Sequence, residues 1–242
     1  YIFGELDDAG NVKRMIRDFE INSAEDLDSL FAERPELGWR YYDLNLSYLP
    51  EGSAVALNHI LPLVHSASKP VRIKMMSELT TRDLHDNHVI YLGYVSALGQ
   101  IGNLLFPISN LRLGENFDQL IERESGTVHT SNAGLPSYNE PFTDYGWFAT
   151  FPVTRATQII IIAGMRDAGL IHAAQAVSDA GSLAALEARL ESAESEQLGV
   201  PAFELLYEVR GLDRTSFNGR LVFGERLDAR RIWEGNSALP GL

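Results

Sequence analysis

The chain has 242 residues, 45% of them hydrophobic, with no cysteine and a formal net charge of −13. That much apolar material supports a full core without disulfides or metal staples, as one α/β domain over 1–242 or as two closely joined lobes, 1–92 and 93–242. The negative charge opposes the counterion release that drives nucleic-acid binding, so nucleic acid is not an expected partner, and the missing thiols exclude disulfides, thiolate metal sites and cysteine nucleophiles.

The chain opens inside an expected strand, Tyr1-Ile-Phe3, which raises the expectation of an upstream portion. Ile2-Phe3 and Val12–Ile16 flank the turn-prone Asp7-Asp-Ala-Gly-Asn11 and predict a hairpin. Ser23 is placed to cap a helix over Ala24–Glu33, with Leu27, Leu30 and Phe31 on one face. A strand is expected over Tyr41–Leu46, then a turn at Ser47–Ser53 into a helix that carries Leu57, Ile60, Leu61 and Val64 inward and is weakened at Pro62. Val71–Met75 reads as a further strand, and the segment from Ser77 as a short helix.

Two segments then carry the strongest pattern in the chain. His88-Val-Ile-Tyr-Leu-Gly93 and Gln158-Ile-Ile-Ile-Ile-Ala-Gly164 are β-branched runs that end on glycine and open into helical spacing. This is the pattern of buried parallel strands feeding helices. Between them, Leu120–Arg123, Thr127–Thr130 and the alternation of Tyr145, Trp147, Ala149 and Phe151 predict an antiparallel section, joined by a long loop over Ser131–Asp144. A helix is expected from Ser182 to about Glu196, with its glutamates outward. Phe203, Leu205, Tyr207 and Val209 alternate as a last strand that returns through Leu221–Phe223, with Gly211-Leu-Asp-Arg or Asn218-Gly219 in the bend. The fold class expected is a three-layer, Rossmann-like α/β domain: a mixed, largely parallel sheet with helices on both faces and an antiparallel middle section.

In such a sheet the turns at Ser47–Ser53, Gly93–Gly99 and Gly164–Gly169 share one edge, and ligands dock beyond the carboxyl ends of parallel strands. Tyr48, Ser53, Gly93, Tyr94, Ser96, Gly164, Arg166 and Asp167 are therefore the candidate ligand-binding residues, with helix amino termini suited to a small polar or anionic ligand. No catalytic residue can be nominated. Neither glycine segment matches G-x-G-x-x-G, no phosphate-loop lysine exists, and no nucleophile elbow or zincin helix is present, so no cofactor is expected. His85-Asp-Asn-His88 lacks a third ligand in the sequence and predicts a turn rather than a metal site. His172 is expected on the polar side of its helix.

Leu49-Pro-Glu-Gly-Ser-Ala, Pro70-Val-Arg-Ile-Lys and Leu84-His-Asp-Asn-His-Val-Ile-Tyr-Leu-Gly93, together with Asp144-Tyr-Gly-Trp-Phe-Ala-Thr-Phe-Pro and the segment from Ile159 to Ala174, resemble a family of uncharacterised bacterial soluble α/β domains. Members are often attached to a membrane segment or a winged-helix regulatory domain upstream. The resemblance implies a sensory or regulatory domain with a partner module, and it favours the periplasmic side of a membrane-anchored protein. It brings no catalytic residue set. The leading expectation is a noncatalytic ligand-binding or sensory domain of a larger bacterial protein. One alternative is a hydrolase or transferase acting on a nucleotide-like or sugar-like small molecule. The other is an assembly domain using exposed edge strands and the acidic helix near Glu187–Glu196. No stretch approaches the roughly 20 apolar residues of a membrane span, so no direct membrane insertion is expected.

Overall fold

The computed structural model of the chain describes all residues except 19, 135–138, 180, 182–201, 214 and 229–242. The helix expected over Ser182–Glu196 thus lies outside the described residues, as do Pro136 and Tyr138 of the long loop. Two compact units are present, one made of Tyr1–Leu49 with Arg72–Thr80 and the other of Pro50–Val71 with Thr81–Leu242. The division at 92/93 would cut through a strand, Val89–Tyr94.

In the first unit, β1 (Ile2–Leu6), β2 (Val12–Ile16) and β3 (Tyr41–Leu46) form an antiparallel sheet in the order β2-β1-β3. The hairpin forms because the Asp7 carboxylate accepts the Ala9 and Asn11 amides and Gly10 takes the left-handed conformation, φ 80°. Helix α1 (Ala24–Glu33) starts at a full capping box: Ser23 accepts the Asp26 amide and the Asp26 side chain accepts the Ser23 amide. Its Leu27 is fully buried against Phe3 and Ile21, with Ile16 and Tyr41 packed alongside.

The second unit is built on a five-stranded sheet, β11-β10-β8-β9-β4. Its strands are β4 (Val89–Tyr94), β8 (Pro141–Pro152), β9 (Gln158–Gly164), β10 (Phe203–Leu212) and β11 (Thr215–Arg226). Only β4 and β9 pair in parallel; β8 with β9, β8 with β10, and β10 with β11 are antiparallel. A separate antiparallel sheet joins β5 (Leu111–Leu113), β6 (Gln119–Glu122) and β7 (Val128–Thr130). These pairings overturn the largely parallel, Rossmann-like sheet expected from the sequence. Connection length is the reason, because parallel neighbours need a crossover of a dozen or more residues. Val153–Thr157, where Thr154 accepts the Ala156 and Thr157 amides, can only close a hairpin between β8 and β9. Likewise β10 and β11 turn at Asp213, φ 53°, within the first of the two expected bend segments, and Asn218-Gly219 falls within β11.

The expected strand at Val71–Met75 is also absent. Val71, Ile73 and Met75 are exposed and enter no ladder, with a 3₁₀ turn (Met76–Glu78) and α3 (Thr81–Asp86) following. Alternating apolar residues make a strand only where an edge is open to pair with them.

One face of the five-stranded sheet carries α2 (Glu51–Ser66) and α5 (Asp167–Ser178). Ala56 and Ile60 of α2 and Leu170, Ala173, Ala174 and Val177 of α5 pack with Phe148, Ile162, Phe203 and Leu205 of the strands. The α2 stripe is therefore Ser53, Ala56, Ile60 and Val64, with Leu57 and Leu61 less buried, and the helix runs through Pro62. His172 lies edge-on to Tyr207 and covers Gly219 instead of facing water; burial lowers its pKa. The opposite face receives Phe106, from the end of α4 (Gly99–Leu105), against the buried Trp147, and His129 of β7 against Tyr145.

The seat of α5 is made of glycine. A Cβ on Gly169 would overlap the Tyr145 carbonyl, one on Gly146 the Gly169 carbonyl, and one on Gly164 the Leu170 amide. Helix backbone here rests directly on strand backbone, a contact that only Gly permits. Gly169→Ala is expected to cost about 3 kcal/mol, a fall of roughly 6–12 °C in the Tm read by differential scanning calorimetry.

Candidate functional site

The carboxyl ends of β4 and β9 bring together three of the residues that the sequence nominates. The Asp167 side chain, at the first position of α5, accepts the Gly52 amide at 2.9 Å and the Tyr94 hydroxyl at 2.7 Å through the same oxygen. Gly52 is the second residue of α2 and has no room for a Cβ against Asp167. Pro50 caps α2 without a side-chain bond, so the carboxylate of a neighbouring helix satisfies its first turn. Ser53 follows Gly52, is 3% exposed, and its hydroxyl has no partner among the described residues. The amino terminus of α2 thus reaches this edge although β3, the strand before it, pairs in a different sheet.

The other nominated residues play separate parts. Tyr48 belongs to the first unit, where its hydroxyl accepts the Arg17 Nε at 3.1 Å and the Arg17 guanidinium sits 5.6 Å from its ring. Gly93 makes room for the Tyr91 side chain, whose hydroxyl donates to the Tyr94 carbonyl at 2.7 Å, and Gly164 lets the chain turn into α5. Ser96 is buried in the 3₁₀ turn Val95–Ala97, ahead of α4, whose N-cap position is Leu98. Arg166 does not pair with Asp167; its Nη2 donates to Asp118 Oδ2 at 2.7 Å, and Gly134 of the long loop lies on its guanidinium.

Asp144 was not a sequence nominee, yet it organises this edge. It is fully buried in β8, accepts the Gly169 amide at 2.6 Å and the Ser131 hydroxyl at 2.8 Å, and so caps α5 from the sheet. Burial raises its pKa to about 6 against the pull of those hydrogen bonds. The stem of the long loop is pinned beside it, with Thr143 N donating to Asn132 Oδ1 at 2.7 Å.

A second polar cluster, also missed in the sequence, lies on the opposite sheet face. Glu208 is 8% exposed and accepts Arg210 Nε at 2.8 Å and Arg220 Nε at 3.1 Å, with the Tyr145 hydroxyl 3.5 Å away. His129 stacks edge-on against Tyr145 and bonds through Nε2 to Glu122 Oε1 at 2.8 Å. Burial works against the Glu208 charge, but the Arg220 and Arg210 guanidinium groups outweigh it and lower its pKa. The Tyr145 pKa is raised, by burial first and then by Glu208. The alternation of β10 is visible in the sequence; what covers its polar phase is not.

Chemically, the β4–β9 edge offers a hydroxyl pair and a carboxylate, with both helix amino termini already occupied by side chains of the chain itself. An anionic ligand would meet Asp167 where it needs the α2 amides, so the arrangement suits an uncharged or cationic polar group.

Because the folded-state pKa of Asp144 lies above its unfolded value of 3.8, its contribution favours the fold below pH 4 and is lost as pH rises through about 6. In chemical denaturation, wild type should lose about 2 kcal/mol relative to Asp144→Asn between pH 4 and pH 7, and equal slopes would remove Asp144 as the titrating group. No family model, curated protein or solved structure matches this chain.

Proposed function

We propose that the chain is a noncatalytic ligand-binding domain of a sensory or regulatory kind, and that an uncharged or cationic polar small molecule binds at the carboxyl ends of β4 and β9. The observation that carries this reading is the buried Ser53 hydroxyl, without a partner among the described residues and next in the chain to the Gly52 amide that Asp167 occupies. A buried hydroxyl left unpaired costs about 1–3 kcal/mol, which a hydrogen-bonding ligand recovers. Asp167 joins the first turns of α2 and α5, so a ligand that competes for its oxygen shifts how the two helices are tied. An attached output module would sense that shift. The groups at this edge support binding rather than turnover: Asp144 is engaged as a cap, Asp167 as a link between helices and Arg166 as the partner of Asp118.

The test is a thermal-shift screen against sugars, nucleosides, amines and amino acids, with carboxylates as the contrasting class. A stabilising hit should lose its shift in Ser53→Ala and Tyr94→Phe while both variants keep the wild-type unfolding cooperativity. No hit in the uncharged and cationic classes, or a hit indifferent to both variants, would overturn the reading.

A second reading, an assembly domain, is favoured by the outer face of the β2-β1-β3 sheet. Register places Met15 and Tyr42 on either side of Gly4, on the face turned from α1. Met15 and Tyr42 are 66% and 58% exposed, with Val12 and Leu46 also exposed. Association of this face with a second copy would appear in sedimentation velocity as a concentration-dependent dimer, abolished in Met15→Glu with Tyr42→Ser. A monomer at all concentrations would remove this reading.

A further inference from the structure

On one face of the five-stranded sheet, hydrogen-bond donors are left facing outward from a built frame. On the sheet face turned from α2 and α5, strand register sets two adjacent rows: Tyr145, Glu208 and Arg220, and beside them Thr143, Arg210 and Asn218. Glu208 is buried and receives one N–H from Arg210 and two from Arg220, the second from Nη2 at 3.4 Å. Both guanidinium groups remain open to solvent, their side chains 61% and 67% exposed. The Arg210 Nη groups, Arg220 Nη1, the Asn218 amide and the Thr143 hydroxyl have no partner among the described residues.

We infer that this face binds a small oxyanion, a carboxylate or a phosphate, between Arg210 and Arg220 with Asn218 and Thr143 as further donors. One buried carboxylate facing two arginines leaves a local charge of +1, set in a chain of net charge −13. The other titratable groups here are Tyr145, which donates toward Glu208, and the pair of His129 with the Glu122 carboxylate, which lies behind Tyr145 and away from the row of Arg210 and Asn218. Glu208 fixes both arginine side chains before a ligand arrives, which lowers the ordering cost of forming a two-arginine clamp. Planar guanidinium forks match the oxygens of carboxylate and phosphate, and each contact is charge-assisted.

The chain contains its own control. Glu5 of β1 is likewise buried between Arg14 and Arg40, with Tyr41 as its register partner on the other strand. The row beside it is Phe3 and Ile16, apolar, and the Arg40 guanidinium lies 5.5 Å from the Tyr41 ring. That pair of arginines lacks the additional donors, so it should bind no oxyanion.

The experiment is titration of the whole chain with inorganic phosphate and with succinate, against potassium chloride at matched ionic strength, read by calorimetry and by Tm. A saturable heat and a saturable rise in Tm are expected with at least one oxyanion, and the better of the two names the ligand class. Arg210→Gln should weaken binding about tenfold or more, and Asn218→Ala, which stands outside the ion pair and leaves Glu208 satisfied, about threefold to tenfold. Arg14→Gln should leave it unchanged. No binding beyond the chloride control, or binding that survives Arg210→Gln and Asn218→Ala in folded protein, overturns the proposal. Loss on Arg14→Gln alone would overturn it equally.

Discussion

The rest of the second unit depends on the contact in which α5 rests, backbone on backbone, upon β8. Because Gly146 and Gly169 both lack a side chain, the helix descends until a Cβ on either would overlap the other's chain. That approach brings the first turn of α5 over Asp144, whose carboxylate takes the Gly169 amide at 2.6 Å. Arg166 stands at the N-cap position, and its side chain, turned to Asp118, makes no cap bond, so the cap has to come from the sheet. Once α5 is seated in this way, Asp167 is presented to Gly52, and α2 is tied to α5 by one oxygen. Three carboxylate and glycine contacts thus order two helices on one sheet.

The acids of this chain are therefore not all a solvated coat. Asp144 and Asp167 hold helix amino termini. Glu204, fully buried in β10, accepts the Ser109 hydroxyl and the Asn110 amide, each at 2.6 Å, and burial pushes its pKa up. Glu5 and Glu208 each sit on a central strand with an arginine-bearing strand on one side and a tyrosine on the other. A buried carboxylate survives only with several donors around it; Asp144, Glu204, Glu5 and Glu208, all buried, have them, as does the half-buried Asp167. The consequence for function is direct: the crevice where an anion would be sought is filled by the chain's own carboxylates, while outward-facing donors gather on the other face.

The site was partly legible for a physical reason that also explains the misses. Tyr94 and Asp167 come together because glycine-ended β-branched runs mark where parallel strands stop and helices begin, and β4 and β9 obey that rule. Tyr48 lies apart from them because the strand before it, β3, pairs with β1 instead of with β4 or β9. Glu208, Arg210 and His129 carried no signal, since Glu208 and Arg210 fall in the polar phase of an alternating strand and His129 in a three-residue strand. Only the chain folded across that face makes Glu208 and His129 buried.

What the sequence by itself determined was local. The Ser23 capping box, the Asp7 turn, the helical stripe of α5 and the strand runs of β4, β9 and β10 all act within a few residues of themselves, where propensity and hydrogen bonding suffice. What only the tertiary structure decided was direction and partnership: that β8 lies between β9 and β10, that β4 and β9 are the parallel pair, and that Val71–Met75 finds no edge. Those outcomes follow from connection length and from which edges remain open after the rest of the chain has paired, and no residue's own neighbourhood in sequence contains either quantity.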